Sequence, residues 1–82
     1  MMNEELMKEL DKILPVVERV HGEHHPELHT VAKLYGQLKE QVSEEVLEQL
    51  KEVTSDFTTP KDACPTYIKT YADLSILYKE LA

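Results

Sequence analysis

The stretch ELHTVAKLYGQLKEQVSEEVLEQLKEVTSDF, residues 27–57, decides how this chain folds. Leu28, Val31, Tyr35, Leu38, Val42, Val46, Leu50, Val53 and Phe57 recur at steps of 3, 4, 3, 4, 4, 4, 3 and 4. That is an apolar stripe at helical period. Residues 37–56 contain neither glycine nor proline, so the spacing predicts one long helix over about residues 27–56. Ser43-Glu44-Glu45 is the competing signal. A serine hydroxyl that accepts a backbone N–H, followed by acids at the positive end of the helix dipole, starts a new helix. The alternative is a break near Val42–Ser43.

Working outward, Asn3 is a cap for a first helix, with Glu4 and Glu5 in its first turn. Leu6, Leu10, Ile13, Val17 and Val20 carry its stripe at steps of 4, 3, 4 and 3. Pro15 falls inside that pattern and predicts a kink or local restart, not a change of direction. The helix should end near His21–Gly22, with Gly22 in a left-handed cap. Pro26 suits the first position of the next helix, with Glu27 behind it. On the far side, Thr59, Pro60 and Asp62 resemble a cap, a first-turn proline and an acid at the third position. Pro65 either distorts that turn or moves the regular start to itself. Tyr67, Tyr71, Leu74, Tyr78 and Leu81 form the last stripe, widened by Ile68, Ala72 and Leu77, with Tyr35 packing beside it.

No alternating strand pattern occurs anywhere, and the chain is all-α. Residues 1–82 make one domain with turns near 21–26 and 57–60. The architecture expected is an antiparallel bundle of three helices with a long middle one. If the middle helix breaks near Ser43, it is a bundle of four short helices. An unbroken middle helix would be roughly 45 Å long, against about 26 Å and 33 Å for its neighbours. Half its stripe would then lie uncovered, which predicts a homodimer weakened by a charge at Leu50 or Val46.

The composition narrows the function classes. Eighty-two residues with 41% hydrophobic side chains suffice for one modest core. Sixteen acids against nine bases give a net charge of −7, which repels a phosphate backbone and argues against nucleic acid. No apolar run approaches the roughly 18–20 residues of a membrane span, and the amino-terminal stretch is acidic. A single cysteine fits a reducing compartment, so a cytoplasmic chain is expected. No nucleophile–base pair, phosphate-binding glycine loop or complete metal set can be assembled from the sequence, so no enzyme is expected.

The four histidines, His21, His24, His25 and His29, fall within nine residues, beside Glu23 and Glu27. Imidazoles at this density suit a first-row transition ion, and all four are candidate metal ligands. The plainer view is a polar turn whose exposed imidazoles titrate near about 6.5. Cys64 is either a functional thiol near a helix start or a small side chain under a proline-rich turn. Glu40, Glu44, Glu48 and Glu52 recur every fourth residue as a solvated acidic face, offset in part by Lys39 and Lys51.

Two blocks carry a family resemblance. Val20-His21-Gly22-Glu23-His24-His25-Pro26-Glu27-Leu28, running on through Leu38-Lys39-Glu40, resembles the iron–sulfur cluster repair di-iron proteins. A second block, Leu50-Lys51-Glu52-Val53-Thr54 through Thr59-Pro60-Lys61-Asp62-Ala63-Cys64, then Tyr67 and Tyr71, resembles a later segment of the same family. The resemblance implies a hemerythrin-like helical bundle and, in full-length members, an oxo-bridged di-iron centre built from several histidines and two carboxylates. Only His21 matches a family ligand. The run Gln41-Val42-Ser43-Glu44-Glu45 stands where further ligands would be, and the other histidine-bearing helices have no counterpart. The resemblance therefore implies a shortened, internally deleted relative in which iron is a possible ligand but an intact di-iron centre is not expected. It also implies a binding or self-association module, with iron–sulfur proteins or a full-length relative as further partners. The alternative is an iron-binding repair protein that uses the histidine-rich turn.

Overall fold

The computed structural model describes residues 3–82 and contains four α-helices: α1 Glu4–His21, α2 Glu27–Glu40, α3 Glu44–Val53 and α4 Pro65–Leu81. No strand occurs among the described residues. Helix α1 begins as its sequence demands. Asn3 Oδ1 accepts hydrogen bonds from the backbone N–H of Glu5 at 3.1 Å and Leu6 at 3.2 Å. Pro15 lies inside α1 without ending it.

The long middle helix does not form. Gln41 is extended (φ −158°, ψ 125°), and Ser43 caps a new helix with its hydroxyl facing the Val46 N–H at 3.5 Å. Glu44 and Glu45 fill the first turn of α3. A favourable cap with two acids outweighs the absence of any helix-breaking residue. The break also lets α3 fold back on α2, whereas a rod of about 45 Å would exceed the molecule's longest dimension of 32 Å. Packing joins α1 to α4, α2 to α3, α1 to α2 and, more lightly, α3 to α4.

The four-helix closure removes the ground on which a homodimer was expected. Leu28, Val31, Leu38 and Leu50 are all at most 1% exposed, and Val46, Val53 and Phe57 are half-buried against the same core. One chain covers its own middle stripe except at Val42, which lies in the α2–α3 break and is 45% exposed. The core continues through Leu10, Leu14 and Val17 of α1 and Tyr67, Tyr71, Leu74 and Leu77 of α4. Each such side chain contributes about 1.5–3 kcal/mol through burial.

Two ends differ from the sequence pattern. Helix α3 stops at Val53, and the Thr54 hydroxyl ties its end, donating to Leu50 O at 2.8 Å and accepting from Phe57 N–H at 3.0 Å. Ser55, Asp56 and Phe57 then run through left-handed backbone, with φ of 52°, 59° and 61°. Helix α4 starts at Pro65, with Cys64 as the cap residue, so Thr59-Pro60-Asp62 is a turn and not a helix start. Tyr35 leaves the other tyrosines as well. Its hydroxyl donates to α1, with Asp11 Oδ1 at 2.9 Å and Met7 O at 3.1 Å.

One acid is buried between helices. Asp73 is 1% exposed on α4, and Lys69 Nζ lies 3.3 Å from its Oδ1 and 3.1 Å from Glu9 Oε1 on α1. Its other oxygen, Oδ2, is buried without a partner. Burial, then the neighbouring Glu9 carboxyl, pushes Asp73 up to about 6.

Candidate functional site

The two sequence blocks meet where the end of α1 faces the start of α4. His21, the last residue of α1, places Nε2 3.3 Å from the Sγ of Cys64 at the head of α4. His25, in the α1–α2 turn, places Nε2 3.0 and 3.1 Å from the two carboxylate oxygens of Asp62. Tyr67, on the first turn of α4, packs its ring edgewise against both imidazoles, at centroid distances of 5.0 Å to His21 and 5.8 Å to His25. These contacts span 43 and 37 residues of sequence. They tie the interhelical turn to the connection that precedes α4.

The electrostatics follow from the pairing. The hydrogen bond to Asp62 holds His25 above the ordinary imidazole value, while partial burial works against it. The same bond holds Asp62 below the usual carboxylate range. His25 is 17% exposed but Asp62 is 63% exposed, so solvent screens the pair and limits its effect on stability. Burial raises Tyr67 above the ordinary phenol value, and Tyr71 likewise.

The four candidate histidines do not gather. His21 pairs with Cys64 and His25 with Asp62, whereas His29 turns to α1, with Nδ1 2.8 Å from Glu18 Oε2. His24 is exposed. Among the described residues, no three His, Cys, Asp or Glu side chains converge as a group able to hold a metal ion. His21, the one position the resemblance assigned to a di-iron ligand, has its Nε2 engaged with a thiol. The residues present do not fit a two-iron centre. What the site offers is a thiol–imidazole pair, soft enough for one transition ion, and it corrects the expectation that no nucleophile and base come together in this chain.

No family model, curated relative or solved structure matches the chain. The likeness to the repair proteins therefore rests on the two blocks alone. Among the described residues, no helix is long and apolar enough to cross a membrane.

Sequence reasoning singled out His21 and Cys64 but gave no sign that they touch. Asp62 stood in the pattern as a helix-starting acid, and its role opposite His25 had no local signal. Gly22 is a correction of another kind. Its backbone is right-handed (φ −61°, ψ −26°), so it is not the left-handed cap expected. The small residue is needed for space. A Cβ there would clash with the Glu18 backbone oxygen and press on the His29 ring at 3.0 Å. Gly22→Ala is expected to cost about 1–3 kcal/mol in urea denaturation and to displace His29 from Glu18. Gly36→Ala is the control, since a Cβ there meets nothing within 4 Å. In the exposed middle of α2 it should stabilise by about 0.5–1 kcal/mol. Equal effects at the two glycines would contradict this packing.

Proposed function

We propose that this chain is a non-enzymatic helical binding module related to the iron–sulfur cluster repair di-iron proteins, acting in the cytoplasm without an intact di-iron centre. The observation that carries the proposal is the meeting of the two resembling blocks, His21 on Cys64 and His25 on Asp62. The partners that fit are a full-length member of the repair family or an iron–sulfur protein, engaged through this end of the molecule. Binding to another protein, not self-association, is the role favoured, because the middle stripe apart from Val42 is already covered.

A second reading has a specific observation behind it. His21 Nε2 and Cys64 Sγ, 3.3 Å apart, are two soft donors within reach of one divalent transition ion. With only two protein ligands such binding is weak.

Protein purified without a histidine tag distinguishes these outcomes. We expect no pair of tightly held irons and none of the visible absorption of an oxo-bridged centre. We also expect a sedimentation shift on mixing with a full-length repair protein, lost on combining His21→Ala with Cys64→Ser. Two firmly bound irons per chain, or no shift with such a partner, would overturn the proposal.

A further inference from the structure

Helix ends of opposite polarity meet at the His21–Cys64 contact. His21 is the last residue of α1, and Cys64 is the cap residue of α4, a helix of 17 residues. A helix C-terminus favours a cation and a helix N-terminus favours an anion. The imidazole therefore stands at the end that favours positive charge, and the thiol at the end that favours negative charge. The sulfur is not spent as a cap, because it bonds none of the backbone N–H groups of α4. No acid lies in the first turn of α4 to cancel its field.

The pair is also within reach of solvent. His21 and Cys64 are each half-buried, and Lys61, Asp62 and Pro65 beside the cysteine are exposed. A thiol acts as a nucleophile once its proton is taken up, and with its own proton on Nδ1 an imidazole accepts at Nε2. The chain has no second cysteine. An adduct on Cys64 thus has no internal thiol to displace it and persists until an external thiol arrives.

We propose that Cys64 is a site of reversible mixed-disulfide formation with low-molecular-weight disulfides, with His21 as the base. Sγ attacks one sulfur of the small disulfide, and the new S–S bond forms as the old one breaks. The electron pair of the old bond leaves on the second sulfur. The Sγ proton passes to His21 Nε2, 3.3 Å away, and from there to the departing thiolate. One small disulfide gives one protein mixed disulfide and one small thiol. This chemistry needs no partner protein and no metal, so it stands or falls apart from the binding role.

The test is the reaction of the whole reduced chain, in the presence of a chelator, with cystamine. Mass spectrometry should find one cysteamine adduct per chain, and none in Cys64→Ser. At pH 7 the folded chain should react at least about tenfold faster than the same chain unfolded in urea. That comparison needs no variant and holds even if a change at His21 disturbs folding. His21→Gln should lose the advantage while keeping its helical circular dichroism. At about pH 9.5, where an ordinary thiol ionises unaided, folded wild type and His21→Gln should react alike. A lost base gives that convergence, whereas a sulfur merely covered or displaced stays slow at every pH. No adduct, a folded chain no faster than the unfolded one, an unslowed His21→Gln, or a rate gap that persists at high pH would each overturn the proposal.

Discussion

Leu50→Asp is expected to unfold this chain, not to separate two copies of it. Leu50 is 0% exposed and belongs to the common core with Leu47, Leu74 and Leu77. Truncating a buried leucine costs about 2–5 kcal/mol, and leaving a charge in its place adds the desolvation of an unpaired carboxylate. The sum matches the whole stability of a small domain, about 5 kcal/mol or a little more. Circular dichroism should show loss of the cooperative transition. Light scattering of the wild type should give 9.5 kDa at every concentration. A stable helical Leu50→Asp monomer, or a wild-type dimer that this change splits, would contradict the four-helix closure.

Asp73→Asn is expected to stabilise the chain at pH 7.5. Asp73 is pushed up to about 6 from an ordinary 3.8, so the folded state favours its protonated form. Its contribution is fully present below the unfolded value and is lost as pH rises through about 6. Two units at about 1.4 kcal/mol each set an upper limit near 3 kcal/mol. His25 works in the same direction, because its raised value makes its contribution fade as pH climbs above 6.5. Glu9, Asp11 and Asp62 are all lowered, so their contributions are present above about pH 4.5 and lost on further acidification. Stability should therefore peak near pH 5 and fall toward pH 7.5. Asparagine keeps an acceptor for Lys69 and supplies an N–H donor for Glu9, and it carries no charge to bury. Urea midpoints should rise at pH 7.5 in Asp73→Asn and change little at pH 4.5. A wild type that grows more stable from pH 5 to 7.5, or a variant weakened at pH 7.5, would contradict this assignment.

Helix class and most core positions were legible because apolar residues recur at helical period on every segment. Asn3 was recognisable because capping is local chemistry. The middle segment was harder, since its periodicity runs unbroken through Val42 while the cap at Ser43 stops it. Pattern and cap opposed each other there, and only the packing of α3 back on α2 decided between them. At α4 the competing starts, Thr59-Pro60 and Pro65, are both good local signals, and Asp62 was drawn away by His25. The candidate site was legible as a set of residues but not as pairs. Contacts across 43 and 37 residues leave no trace in spacing. Asp73 gave no warning at all, because a single acid within an apolar stripe looks the same whether it faces water or a lysine-bridged partner.

The meeting of the two blocks is open to direct observation by nuclear Overhauser spectroscopy of the histidine and tyrosine rings. The expected result is a set of cross-peaks from His21 ring protons to the Cys64 β-protons, and from both His21 and His25 rings to Tyr67. A spectrum with four well-formed helices, in which His21 shows no contact with Cys64 or Tyr67, would contradict the site and the function proposed for it.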